Sequence, residues 1–297
     1  MLHIKLNNMK VLIIGASGML AKPVIKHLDN AGFQLRLFSR TVNQSMFGKE
    51  YDIVRGDVYN LFHLEKAMIG CDAVHISIST KNDALATKSI IDIATQNGIK
   101  LISAITGCTV SEENRWFPMI ENKFEEEEYI IKSGIPFMIF RPTWFFESLD
   151  LMVRDGKAMV LGKQPNPCHW VAADDYGKMV ANAYIKTDAK NKIFFVFGPE
   201  QYLMKDLLEK YCKRYHPEIK KVSAIPLWMV RMIGMLSGNK ELKNAASLFA
   251  YFEKVKELGN PDETNNLLGK PELTFEKWID SKSHRGEQGV INLLKSA

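Results

Sequence analysis

The chain has 297 residues, 46% of them hydrophobic and 25% charged, an ordinary globular composition that suits one large α/β domain or a domain with a smaller appendage. Its net charge of +5 comes without any concentrated Lys/Arg tract, so no specific nucleic-acid partner is expected. No apolar run approaches the ~20 residues of a membrane span, Met1–Lys10 lacks an apolar signal core, and Cys71, Cys108, Cys168 and Cys212 form no C-x-x-C pair; the expectation is a cytoplasmic protein with no membrane partner and no structural metal.

Met9 stands just before the first strand, so the first eight residues read as an extension outside the fold. Val11 to Ile14 predict a buried strand, and Gly15 stops it. Ser17 and Gly18 open an apolar-periodic run (Met19, Leu20, Val24, Ile25, Leu28), which predicts a helix beginning near Gly18. A strand, a glycine turn and a helix N-terminus aim free N–H groups at one point, and that point favours a phosphate. Gly15, Ser17, Gly18, Met19 and Leu20 are therefore the expected phosphate loop.

Phe33–Phe38 predicts a second strand, with the imperfect alternation of one covered on both faces. In a doubly wound sheet its end faces the adenosine ribose of a dinucleotide. An acidic residue there would hold the 2′-hydroxyl; this sequence offers Ser39 and Arg40, which suit a 2′-phosphate and so NADP in preference to NAD. Tyr51–Arg55 is a short strand, followed by Gly56, Asp57 and Val58; for Asp57 an Asx turn or helix cap is the competing reading. Leu61–Met68 predicts a helix and Cys71–Ile78 a fourth strand that ends in Ser79 and Thr80, with His75 as an interior histidine. A helix over Asn82–Gln96, a strand over Ile99–Ser103, a helix over Phe117–Lys132 and a strand over Ile135–Phe140 follow. Repeated β-α units give a parallel sheet with helices on both faces.

Past Pro142 the rhythm changes. Trp144, Phe145 and Phe146 make an aromatic stretch, and residues 156–169 are turn-rich. Asp174 or Asp175 is the expected N-cap of a helix through Tyr184, and Lys192–Phe197 predicts a seventh strand. Helices are expected over Tyr202–Tyr215, Pro226–Leu236, Ala245–Leu258 and Leu273–Ile279. The organisation read from this is a doubly wound α/β domain over residues 1–198, with an inserted loop at about 143–170, and a smaller, mostly helical cap over residues 199–297.

The spacing Gly15-x-x-Gly18-x-x-Ala21 resembles the glycine loop of the short-chain dehydrogenase/reductase superfamily, and GASGMLAKPV is most similar to its atypical, NmrA-like branch. Gly56-Asp57 resembles the pair that lies beside the adenine ring in that family. Lys123 through Glu127, then Ser133-Gly134-Ile135-Pro136 and Arg141-Pro142, are similar to its K-x-x-x-E…SG(L/I)P…RP signature. Asp175 and Gly177, Phe197–Pro199, and Leu268–Pro271 with Trp278 fit in order, so the resemblance covers nearly the whole chain. It implies a Rossmann-like fold, a nicotinamide cofactor held by the residues above together with Val58, Ser79, Ser103 and Lys123, and a small-molecule substrate.

In typical members of the superfamily a Tyr-x-x-x-Lys pair serves the carbonyl, the lysine lowering the pKa of the tyrosine that donates the proton. Here Lys123 matches the lysine, but the residue four positions earlier is Met119, which has no proton to give. The catalytic serine depth falls at Ile105, with Thr106 beside it. Lys123 is left as the cofactor contact and as the candidate acid or base, a role the lysine has in isoflavone-reductase-like relatives. The competing reading is an ion pair with Glu127, one turn away on a surface helix. The run Glu125–Glu128 reads as a solvated face, with Glu127 structural. The leading expectation is an NADPH-dependent reductase of a small carbonyl, enone or quinone-like substrate, its apolar pocket built from the 144–146 aromatics and the methionine-rich Trp228–Met235. The alternative is a non-catalytic NADP(H)-sensing regulatory or assembly protein with a protein partner.

Overall fold

A computed structural model describes residues 9–80 and 82–283; the expectation for residues 1–8 lies outside them. The first half alternates strand and helix: β1 (Lys10–Ile14), α1 (Ala21–Asn30), β2 (Gln34–Ser39), β3 (Asp52–Arg55), α2 (Leu61–Met68), β4 (Ala73–Ile76), α3 (Asp83–Gln96), β5 (Leu101–Ile105), α4 (Pro118–Lys132) and β6 (Phe137–Pro142). Next come β7 (Trp144–Phe145), β8 (Val153–Arg154), β9 (Lys157–Leu161), β10 (Cys168–Val171), α5 (Ala173–Ile185) and β11 (Lys192–Val196). The remainder is β12 (Glu200–Tyr202), α6 (Met204–Tyr215), β13 (Val222–Ile225), α7 (Leu227–Leu236), α8 (Lys240–Phe252), α9 (Asp262–Leu268) and α10 (Phe275–Ser283).

The chain falls into two compact units. Of the described residues, the first comprises those within 9–143, 173–196 and 257–270, and the second those within 144–172, 197–256 and 271–283. The first holds a seven-stranded sheet in the order β3-β2-β1-β4-β5-β6-β11, with every neighbouring pair parallel. Such a sheet is covered on both faces, so its central strands are apolar throughout: Val11 to Ile14 are completely buried, as are Ile102 and Ala104. Helix α5 lies against α1 on one face. Gly177 makes that approach feasible, because a Cβ there would sit 2.6 Å from the Pro23 backbone. The expected N-cap is corrected here: α5 begins at Ala173, so Asp174 falls in its first turn and salt-bridges Lys26 at 2.6 Å instead.

The second unit packs two three-stranded sheets, β12-β10-β7 and β13-β9-β8, with α6 and α10 around an aromatic core of Phe146, Trp170, Tyr211, Phe275 and Trp278. Residues 156–169, expected as turns, supply β9 and β10. Phe145 and Phe146 are core residues, and Trp144 leans on Trp170 and Phe252. The methionine-rich helix α7 leaves Trp228, Met232, Met235 and Leu236 exposed rather than walling a pocket within this unit. The helix expected from Ala245 to Leu258 runs instead from Lys240, where Asn239 caps it, to Phe252.

Candidate functional site

In the first unit the strand order reverses between β1 and β4, which is where open α/β sheets bind ligands, beyond the carboxyl ends of the strands. The loop after β1 is stitched to both neighbours. Gly15 N and Ala16 N donate to Phe38 O of β2 at 2.9 and 3.2 Å, and Ser77 N, just past β4, donates to Ile14 O at 2.9 Å. Gly15 has a φ of +85°, and a Cβ on it would lie 2.0 Å from Ser77 O, so only glycine fits.

The helix starts three residues later than expected, at Ala21, because Gly18 N closes a turn onto Gly15 O at 2.9 Å. This lengthens the cradle. The backbone N–H groups of Ser17, Met19 and Leu20 have no partner among the described residues, and no side chain caps α1. A Cβ added at Gly18 would meet only Gly15 O, at 3.1 Å, before Ser77 O at 4.0 Å. Unpaired N–H groups, an uncapped helix end and a glycine at Gly18, where a Cβ would crowd Gly15 O, fit the close approach of a pyrophosphate.

Ser39, at the end of β2, reaches this loop: its hydroxyl and that of Thr41 each lie 3.0 Å from Ser17 Oγ. Ser39 Oγ also accepts from Val42 N, fixing the turn that displays Arg40. Arg40 is exposed and forms no hydrogen bond or ion pair among the described residues. Asp57 makes the Asx turn, accepting from Tyr59 N at 3.0 Å, and Val58 packs against the core below it. Ser79 is exposed on the loop after β4. Ser103 is corrected as a cofactor contact. It is completely buried, opposite His75 in the sheet, and its hydroxyl lies 2.8 Å from His75 Nδ1 and 2.7 Å from Tyr184 OH. Burial pulls the His75 pKa down to about 3, so the ring is neutral and interior, as read from its strand position.

Helix α4 places Met119 on the surface and Lys123 one turn further in. The competing reading, an ion pair between Lys123 and Glu127, does not form, and the acidic run is solvated only in part: Glu126 and Glu127 are buried, while Glu128 stays partly exposed and pairs with Lys132. Lys123 Nζ lies 2.8 Å from Glu126 Oε2 and 2.9 Å from Asp83 Oδ2, and 3.5 Å from Ile78 O near the end of β4. Glu127 turns the other way, to a forked pairing with Arg141 and a 2.6 Å hydrogen bond from Thr106. Glu126 and Glu127 are both buried because α4 presses this side onto α3 and β6.

Burial pulls the Lys123 ammonium down, but Glu126 and Asp83 outweigh it and hold its pKa above the ordinary lysine value. Burial pushes the Glu126 carboxyl up to about 7 against the attraction of Lys123, and Asp83 and Glu127 add to the rise. Asp83 also accepts from the Thr80 hydroxyl at 2.7 Å, which ties the loop after β4 to Lys123. Sequence reasoning missed Asp83 and Glu126. Lys123 and Glu126 stand at the i,i+3 spacing that brings helical side chains together, but nothing in the sequence aims Asp83 at them.

The sequence profile described as NAD(P)H-binding matches residues 15–162, beginning at the first loop glycine. Residues 15–162 are an NAD(P)H-binding domain. The NAD(P)H-binding chain is 22% identical over 246 residues to the photosystem II assembly factor Ycf39 of Trieres chinensis, covering 77% of this chain and 76% of that one. It is 27% identical over 225 residues to the chloroplastic divinyl chlorophyllide a 8-vinyl-reductase of Cucumis sativus, covering 65% of this chain and 54% of that one. Triphenylmethane reductase of Citrobacter sp., solved in complex with NADP(H), shares the fold with a TM-score of 0.74 at 15% identity, over 92% of this chain and 99% of that one. Among the described residues no helix is long and apolar enough to cross a membrane.

Proposed function

We propose that the protein is an NADPH-dependent reductase of conjugated acceptors, enones or quinone-like molecules, in a reducing cytoplasm. The observation that carries this reading is Met119 in the place of the usual proton donor, with Lys123 kept and charged behind it. When bound, the cofactor supplies hydride. Gly15, Ser17, Gly18, Met19 and Leu20 would hold its pyrophosphate, Ser39 and Arg40 its 2′-phosphate, Asp57, Val58 and Ser79 its adenosine side, and Lys123 its nicotinamide ribose. A conjugated acceptor needs little further help, because hydride addition leaves a delocalised anion, which the Lys123 ammonium can neutralise. An isolated ketone leaves an alkoxide that needs a donor already in place. The similarity to a divinyl chlorophyllide a 8-vinyl-reductase and to a triphenylmethane reductase supports this choice of substrate class.

The test is NADPH consumption across a quinone, an enone and an unconjugated ketone, with wild type, Lys123→Ala and Met119→Tyr. Wild type should prefer the first two, and Lys123→Ala should lose about 10²-fold or more. Rapid turnover of the plain ketone by wild type would sink this reading. The likeness to an assembly factor favours a second one, a protein that binds NADP(H) and a protein partner without turnover; tight NADPH binding with no acceptor reduced would establish it.

A further inference from the structure

Loss of the tyrosine leaves a chemical question: a single ammonium gives up one proton and must be recharged. The side of Lys123 away from solvent holds the answer. The Lys123 side chain is 13% exposed, whereas Glu126, 2.8 Å behind it, is completely buried. Glu126 Oε2 takes the ammonium, and Glu126 Oε1 has no hydrogen-bond partner among the described residues. A carboxylate enclosed with one bare oxygen is expensive to keep ionised, and a proton on it removes that cost. Asp83 completes the group on the other side of Lys123, so two carboxyls share one ammonium. The charges facing Glu126 are Lys123 and Glu127 from its own helix and Asp83 from α3. Arg141 of β6 neutralises Glu127, and Lys88 and Asp92 of α3 pair with each other in solvent.

We propose that Glu126 is the proton store behind Lys123, returning a proton to the amine each time the ammonium has given one to the reduced substrate. This rests on the reductase reading above. Hydride delivered to the conjugated carbon leaves an anion. An N–H bond of Lys123 breaks as an O–H or C–H bond forms on that anion. The O–H bond of Glu126 then breaks and the N–H bond of Lys123 is remade. Solvent recharges Glu126 through the same ammonium before the next turnover, and no electrons are needed beyond those of the hydride. Before transfer the group of three is neutral, with Asp83 balancing Lys123; afterwards it carries one negative charge, which draws the replacement proton. Glu126 touches neither substrate nor cofactor, so it is a positioning residue that also holds a proton. The carboxyl titrates near pH 7, where such a store can be both filled and emptied.

Glu126→Gln is the deciding variant, because the amide keeps the shape and the acceptor for Lys123 but has no acidic proton. Wild-type kcat should fall as pH rises above about 7, and Glu126→Gln should lose about tenfold or more at pH 6.5 and show no such limb, with NADPH affinity within about twofold of wild type. Difference infrared spectroscopy on the protein without substrate should show one protonated carboxyl near neutral pH that is missing in Glu126→Gln. Absence of that band in wild type, or an active Glu126→Gln with an unchanged pH profile, overturns the store while leaving the reductase intact. Wild type that reduces no acceptor overturns the reductase reading and the store with it.

Discussion

Arg40 is exposed, with no hydrogen bond or ion pair among the described residues. It follows Ser39, whose hydroxyl meets that of Ser17, with Thr41 on its other side; a guanidinium and hydroxyls are a donor set that matches a phosphomonoester. A guanidinium–phosphate contact is worth roughly 1.5–3 kcal/mol. Arg40→Ala should therefore weaken NADPH about tenfold or more and hardly change NADH, measured by cofactor fluorescence titration. Equal losses for both would show that Arg40 does not read the 2′-phosphate. The place of Arg40 just past β2 was legible in the sequence, because it follows from the apolar run of that strand. Glu126 and Glu127 were not. They are neighbours of one residue type, both inward, yet one faces Lys123 and the other Arg141. A run of four glutamates hides that difference, since helical spacing gives faces but not what covers them. Ser103 misled in a related way. It was read as the end of a strand, but β5 runs from Leu101 to Ile105 with Ser103 at its centre, and in a strand covered on both faces no side chain is free merely by alternation.

Among the elements, the loop from Gly15 to Leu20 gives the sharpest test. The N–H groups of Ser17, Met19 and Leu20, unpaired among the described residues, flank Gly18, where an added Cβ would lie 3.1 Å from Gly15 O, against 2.0 Å from Ser77 O at Gly15. Gly18→Asp should put a carboxylate where the pyrophosphate binds and abolish measurable NADPH binding in a protein that still folds, as judged by circular dichroism alongside the titration. Unchanged affinity would remove the loop from the site. Most parallel strands and their helices were readable to within a few residues, because each is an apolar run between turn signals. The short strands β7 to β10, β12 and β13 and the helix α9 were not. Strands of two to five residues carry too few alternations to register, and α9 spans only Asp262–Leu268.

Over the whole molecule, two buried groups set opposing responses to pH. Glu126 has a folded pKa of about 7, above its ordinary 4.5, so the folded protein binds the extra proton between those values and loses stability as pH rises through them. His75, held near 3, does the reverse: it stays neutral in the fold, and stability falls as pH drops below about 6.5. The Glu126 shift corresponds to about 3 kcal/mol. Urea unfolding at pH 5 and pH 8 should show wild type losing stability relative to Glu126→Gln by that order, and parallel behaviour of the two proteins would contradict the assignment.

The first unit is assembled from three separated stretches of chain, and its outermost strand pairs β6 with β11, fifty residues downstream. On the ribosome, β1 to β6 emerge and can associate in order, but β6 then waits as an open edge while the strands and loops of residues 144–172 are made. An open parallel edge is a template for unintended pairing. Residues 257–270 emerge later still, and there Lys192 of β11 finds Glu263 and Phe195 finds the turn at Gly259. A chain released before that point would leave the outer strand without these contacts. The hazard for this protein during synthesis is therefore concentrated in one window, after β6 and before β11 is available, and a holdase chaperone that shields that edge would act on nascent chains stalled there.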